Sequence, residues 1–272
     1  MAERFEISLI AADILGERCG VDLHIPPFEL PHAGYTDTER GRFAQGVLRD
    51  LEGRGLAYRG RLEPDVEDAL VLLGRAPVSA SMVLATRTGR GQAVARIASN
   101  GRLAVLATQQ ADTVRVEFVR PTGVIGALVG LVRDRHPIKG GAVTFPVDDV
   151  VPVSVAGRDR DRGGDVGDGG ASLMRKPRSQ AGGYGQQRRL ADAMAQRMRG
   201  RAGTVTIYAR DRHGRERQVA MLVWHDTDVG RYMIYQTPGS DGREWVSYAP
   251  ADNARLAQQL SEFWSAHEVA GY

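Results

Sequence analysis

Thr113-Val114-Arg115-Val116-Glu117-Phe118-Val119 alternates apolar and charged side chains. Period two puts Val114, Val116 and Phe118 on one side of a strand, with Arg115 and Glu117 on the other. That is the pattern of an antiparallel strand with one packed face and one wet face. Working backward, residues 102–109, 92–98 and 78–87 read as three more strands. Asn100-Gly101 and Gly89-Arg90-Gly91 supply turn chemistry between them. The stretch 78–119 therefore predicts a four-strand meander. Pro121 is expected to end it, a helix to follow over 122–132, and one more short strand over 142–147.

Upstream, residues 5–7 alternate like a short strand, and Ser8 can cap a helix carrying Leu9, Ile10, Ile14 and Leu15 to a stop at Gly16 or Gly20. Residues 21–35 hold Pro26, Pro27, Pro31 and Gly34, so an extended connection is expected. Thr36-Asp37-Thr38-Glu39 is a capping-box pattern. Phe43, Val47, Leu48 and Leu51 form one stripe of the helix that follows, ended by Gly53 and Gly55. Pro64 opens another, with Val66, Ala69, Leu70 and Leu73 inward and Gly74 as its stop.

Downstream the pattern recurs. A helix after Tyr184 carries Leu190, Met194 and Met198. Strands follow over 203–210, 216–225, 230–237 and 243–248. Pro250 is expected to end them, and a helix then places Leu256, Leu260, Phe263, Trp264 and His267 on one side. Gly101 corresponds to Gly230 and Pro121 to Pro250, both 129 positions apart. The fold class is therefore α+β: a central antiparallel sheet with flanking helices and a pseudo-two-fold repeat of helix, four-strand meander and helix. Two such meanders can join edge to edge, removing two unpaired edges. The expected organisation is residues 1–156 as the N-terminal half of one quasi-symmetric domain, 157–183 as a disordered linker, and 184–272 as the C-terminal half with a helical bundle. The linker has too few apolar residues to offset its ordering entropy.

At 272 residues the chain can bury roughly three quarters of its unfolded surface. Its single cysteine, Cys19, excludes an intramolecular disulfide and a cysteine-based zinc site. The longest apolar run, 124–132, is far short of the ~20 residues a bilayer span needs. The acidic residues Glu3, Glu6 and Asp13 make a poor signal peptide. A cytoplasmic protein without a membrane span is expected. Of 36 basic residues only Lys139 and Lys176 are lysines, and the formal charge of +3 is unevenly placed. Residues 157–201 hold 11 basic and five acidic side chains, a net of +6, so the remainder sums to −3. A nucleic-acid-binding regulator would use Arg188, Arg189, Arg197, Arg199 and Arg201 on the helix there.

Chemistry-bearing motifs are sparse. His225 lies beside Asp226 and Asp228, which a hydrolase could use, but strand neighbours point to opposite faces and the two aspartates suit a turn before Gly230. His24, His32, His136, His213 and His267 show no metal-ligand spacing. Residues 89–91 are no phosphate loop, because strand pattern follows them. No catalytic residue, cofactor or metal is expected. What remains is surface. Trp224, Tyr208, Tyr232, Tyr235, Trp245 and Tyr248 cluster in the second meander, and a sheet with helices on one side can present its other face to a partner.

The residues FEIS at 5–8, YTDTERGR at 35–42, LEGRGL at 51–56, GRGQAVARIASNGRLAVLAT at 89–108, ARDRHGRERQ at 209–218, WHDTDVGRYMIY at 224–235 and WVSYAPADNARL at 245–256 resemble the EspG-type chaperones of type VII (ESX) secretion systems. The likeness covers nearly all of 5–267 except the linker. It implies a mixed α/β fold with quasi-two-fold halves and a cytosolic, non-enzymatic, secretion-specific chaperone. Such a chaperone binds the helical tip of a PPE protein in a PE–PPE heterodimer, or a related helical-hairpin ESX substrate, and is a monomer or weak dimer without nucleic acid. The implied contact surface is the central sheet with the C-terminal bundle, and the loop between the second and third strands, here Ser99-Asn100-Gly101, is mobile in the family. The partner-binding candidates are Tyr208, Arg210, Met221, Tyr232, Ile234 and Arg255, with Ser99, Asn100 and Gly101.

Overall fold

The computed structural model describes residues 3–85, 93–147, 150–152, 175–177, 187, 189, 191 and 198–268. In chain order these form β1 (Arg4–Ser8), α1 (Leu9–Arg18), α2 (Asp37–Gly53), β2 (Ala57–Tyr58), β3 (Arg61–Leu62), α3 (Pro64–Arg75), β4 (Val78–Ala85), β5 (Ala93–Ser99), β6 (Ala104–Gln110) and β7 (Thr113–Val119). A 3-10 turn (Pro121–Gly123) leads to α4 (Val124–Val129). Then come β8 (Val143–Pro146), β9 (Val150–Pro152), β10 (Arg175–Pro177), β11 (Met198–Arg210), β12 (Glu216–Thr227), β13 (Gly230–Pro238), β14 (Glu244–Ala251) and α5 (Asn253–Glu268). Two compact units arise. The first holds Met1–Arg133, Gly203–Met221 and Asn253–Tyr272; the second holds Asp134–Ala202 and Leu222–Asp252.

In the first unit the strand order is β1-β7-β6-β5-β4-β11, followed by the opening stretch of β12. The ladders from β1 to β4 are antiparallel. The register puts Phe5 opposite Val116, Val116 opposite Ala107, and Ala107 opposite Arg96, so these share a face. On that face α1 and α3 bury Leu15, Leu70 and Leu73 against Phe5, Ile7, Ala98, Val105, Val114 and Val116. The opposite face carries Ala80, Met82, Ile97 and Leu106, all buried, where α4 packs on β5 and β6 and α5 on β4. Both faces of the central strands are thus covered, in keeping with a central antiparallel sheet with flanking helices. The wet face survives at the β7–β1 edge, where Arg115 pairs with Glu6 at 2.7 Å.

The caps follow the sequence. Ser8 Oγ accepts the Ala11 N–H at 3.0 Å. Thr36 and Glu39 form the reciprocal capping box. Val66, Ala69, Leu70 and Leu73 of α3 are buried, and Gly74 lies so close that a Cβ would come within 2.8 Å of Val21. The stripe of α2 differs from expectation: Leu51 is buried, but Phe43 is 41% exposed and Val47 and Leu48 are half-buried.

In the second unit the later stretch of β12 pairs with β13, β13 with β14 and β14 with β8, all antiparallel. Its core is Ile138, Val143, Phe145, Ala191, Tyr232, Ile234, Val246 and Tyr248. β9 and β10 form a separate antiparallel pair. Most of the expected linker, 157–183, lies outside the described residues, as do Arg188, Leu190, Met194 and Arg197; within the linker, β10 is a strand.

Two boundaries need correction. Met198 begins β11 rather than lying on a helix. Gly200 explains this: a Cβ there would sit 2.7 Å from the Asp226 carbonyl oxygen, so β11 runs against backbone at a distance only glycine allows. Pro250 does not end the sheet; it pairs with Tyr232 inside β14. The β8 ladder ends at Tyr248, two residues before Pro250, so the proline does not interrupt that ladder.

Candidate functional site

The candidates divide by unit. In the first unit, Tyr208 on β11 is half-buried. Its ring lies 5.6 Å from the Arg96 guanidinium carbon, and its hydroxyl accepts from Ser81 Oγ at 3.4 Å. Arg210 is spent on the fold: it donates to Gly74 O at 2.7 Å, Ala76 O at 3.3 Å and Gly214 O at 2.6 Å. Its charge therefore holds the C-terminal carbonyls of α3, where a cation is favoured. Met221 is half-buried and Arg255 is exposed on α5. Ser99 is buried at 2% exposure while Asn100 and Gly101 are exposed. The turn is tightly closed: Asn100 Oδ1 accepts the amides of Arg102 and Leu103 at 3.0 and 2.8 Å, and Ser99 Oγ accepts the Gly101 amide at 3.1 Å.

In the second unit, Tyr232 and Ile234 are core residues, at 0% and 2% exposure. This corrects their reading as surface. Both sit on the strand face that packs on Phe145, Val246 and Tyr248, and alternation alone could not distinguish a packed face from a presented one. Of the aromatic cluster, Trp224, Tyr232 and Tyr248 are buried, while Tyr208, Tyr235 and Trp245 are half-buried.

The stretch Trp224 to Tyr232 is built as a turn. Arg231, 1% exposed, grips the Asp226 carboxylate through Nε at 2.6 Å and Nη2 at 3.2 Å. Thr227 Oγ1 donates to Gly230 O at 2.7 Å and accepts the Val229 amide at 3.2 Å. Gly230 has φ +129, and a Cβ there would meet Pro137 and Ile138 backbone at 2.7 Å. Gly230→Ala is therefore expected to destabilise the protein by about 1–3 kcal/mol; a chemical-denaturation midpoint unchanged from wild type would refute this. His225 points to the face opposite Asp226, toward Tyr232, with ring centroids 5.4 Å apart. Burial pushes its pKa down to about 4. Asp228 is exposed in the turn, with its carbonyl accepting from Arg135. The trio a hydrolase would need is not brought together.

The arginine set for nucleic acid is also broken up. Arg189 is helical and exposed, whereas Arg199 and Arg201 lie on β11. They do not share one helical face.

Three features were missed by sequence reasoning, all in the first unit. Arg96 is a fully buried guanidinium on β5. Asp13, His24 and His32 converge. An open apolar groove of ≈ 820 Å³ runs between α1 and α2, with Ile10, Pro31, Ala33, Tyr35, Phe43 and Val47 along it. The exposed half of the α2 stripe was the available signal for the groove. Among the described residues no helix is long and apolar enough to cross a membrane.

Comparison with known proteins agrees with this architecture. No curated protein sequence matches the chain. A solved structure of the Mycobacterium tuberculosis type VII secretion system chaperone EspG5, in complex with the PE25-PPE41 dimer, has a similar fold. Its TM-score is 0.61 at 12% sequence identity, over 93% of this chain and 93% of that one. The EspG family model matches residues 8–262, and the chain therefore belongs to the EspG family.

Proposed function

We propose that this protein is a cytosolic type VII secretion chaperone. It binds the helical tip of a PE–PPE-type heterodimer, or a similar helical-hairpin substrate, keeps it soluble and presents it for export without making or breaking a bond. The family match over 8–262 carries this reading. The fold shared with a chaperone solved on a PE25-PPE41 dimer supports it. Covering an exposed apolar tip is the physical task, since such a patch drives aggregation. Met221, Tyr208 and Arg255 are the candidates with side-chain surface to offer, and the Ser99–Gly101 turn adds Asn100. We also retain, as a proposal, the quasi-two-fold halves 1–156 and 184–272 joined by the 157–183 linker. In its favour, Gly101 and Gly230 both occupy turns with positive φ; against it, Pro121 opens a 3-10 turn while Pro250 lies in a strand.

Co-expression with a PE–PPE-like pair from the encoding locus is expected to yield a soluble complex with one copy of each chain. Met221→Arg and Arg255→Glu are each expected to weaken it about 10-fold or more, and wild-type affinity in both variants would remove these residues from the contact surface. Failure of every such pair to co-purify with wild type would sink the proposal. Tyr232→Arg is uninformative for binding, because a charge placed in the core unfolds the second unit.

A further inference from the structure

We propose that Asp13, His24 and His32 form a binding site for one divalent transition-metal ion of the zinc class. The geometry begins with Asp13 on α1, whose side chain is 3% exposed. Its Oδ2 is occupied: it accepts the Ala33 amide at 3.0 Å and Arg40 Nη1 at 2.9 Å. Its Oδ1 faces two imidazoles, His24 Nε2 at 3.5 Å and His32 Nδ1 at 4.0 Å. The two rings stack 4.6 Å apart at 26°. One ligand atom from each residue lies within 4.8 Å of the others. A tetrahedral zinc with bonds near 2.0–2.2 Å holds its ligand atoms roughly 3.4 Å apart, so closure needs only a small movement. His32 is well placed to make it, because its side chain is 77% exposed.

The outer shell points the same way. His24 Nδ1 lies 3.4 Å from Asp22 Oδ1, and Asp22 also accepts the His24 amide at 2.8 Å. A carboxylate behind one ring nitrogen fixes the tautomer that aims the other nitrogen's lone pair at a metal. With Asp22 behind Nδ1, His24 Nε2 faces the Asp13 carboxylate oxygen at 3.5 Å, close to the spacing of two ligand atoms on one tetrahedral ion. Arg40 does not fill the role. It approaches from the Oδ2 side, and its charge is shared with Glu17 through a second ion pair. Two imidazoles, one carboxylate and a position open to solvent are the donor set of zinc, cobalt or nickel rather than of calcium or magnesium, which prefer all-oxygen shells. Bound metal would pin the proline-rich segment carrying His24 and His32 to α1. Pro31, Ala33 and Tyr35 of that segment border the apolar groove, so the ion would fix one wall of it.

The test uses the full chain with any affinity tag removed, and Zn²⁺ or Co²⁺ as the probe. Calorimetric titration is expected to give one ion per chain, the Co²⁺ form the visible absorption of a tetrahedral complex, and Zn²⁺ a raised melting temperature reversed by chelator. The His24→Gln/His32→Gln double variant, whose circular dichroism should match wild type, is expected to bind at least 100-fold more weakly and to lose the thermal shift. Equal affinity in wild type and double variant would overturn the proposal. So would a wild-type titration that shows neither heat of binding nor cobalt absorption at saturating metal.

Discussion

Replacing Glu216 with leucine is expected to cost about 3 kcal/mol of stability, and replacing Arg96 with methionine as well is expected to restore most of it. Arg96 is wholly buried in β5. Its guanidinium donates to Glu216 Oε1 at 2.5 Å, Ser79 Oγ at 2.9 Å, Pro26 O at 2.9 Å and Leu73 O at 3.3 Å. Burial pulls its pKa down from the usual arginine range, with Glu216 opposing that pull. Glu216 also lies 3.7 Å from Arg210 Nη2, so one carboxylate balances two cations. Removing it leaves a charge stranded among neutral acceptors, a change that typically costs 3–5 kcal/mol. We take the lower end, because the Glu216 side chain keeps 17% of its exposure. A change that large lowers the melting temperature of a chain this size by roughly 6–12 °C. Removing both partners replaces a desolvated pair with apolar packing, often a neutral exchange. A single variant within about 1 kcal/mol of wild type would show that the three remaining oxygens suffice.

Acid should destabilise the protein through His225, and His225→Phe should remove that component. The imidazole is 5% exposed on β12, and its Nε2 has no hydrogen-bond partner among the described residues. Burial holds its pKa at about 4 against an ordinary 6.5, with Asp226 pulling weakly the other way. The folded pKa is depressed, so the unfolded chain binds the proton first as pH falls. Stability is full above pH 6.5 and is lost progressively down to about pH 4, by roughly 3 kcal/mol in total. The phenylalanine variant keeps the ring against Tyr232 and carries no proton. Denaturant melts at pH 7, 5.5 and 4.5, chosen to bracket about this window, should show the wild-type curve falling below the variant's as acid is added. Parallel curves would mean that His225 does not titrate in the unfolding reaction.

The elements legible in the sequence are those whose cause is local. β7 alternates cleanly because one of its faces is wet at the β1 edge, and the Thr36 box and Ser8 cap are written within four residues. Periodicity does not say what covers a face. Phe43 and Val47 share a stripe with Leu51, but Leu51 is buried, Val47 only half-buried against the core, and Phe43 exposed. Tyr232 and Ile234 alternate as surface-presenting residues would, yet they lie in a buried cluster with Phe145 and Tyr248 beside them on the sheet and Ile138 and Ala191 packed in. Arg96 looks like an outward strand residue because its four acceptors come from residues 26, 73, 79 and 216. His24 and His32 fit neither helical nor strand spacing; the proline-rich segment folds back on α1 and makes them neighbours. The family likeness reached the class of function because its motifs are structural. WHDTDVGRY is kept together by Arg231, Thr227 and Gly230, not by a reaction.

The chain assembles its first unit from three separated stretches: residues 1–133, 203–221 and 253–272. On the ribosome, β1 to β7 therefore emerge long before β11 and α5 arrive to cover β4 and its neighbours. Until then a large part of the sheet has an open flank and an uncovered side, and contacts between stretches so distant along the chain form slowly. This member of the EspG family thus carries an uncovered apolar surface through its own synthesis, and truncation before α5 is expected to leave an insoluble product.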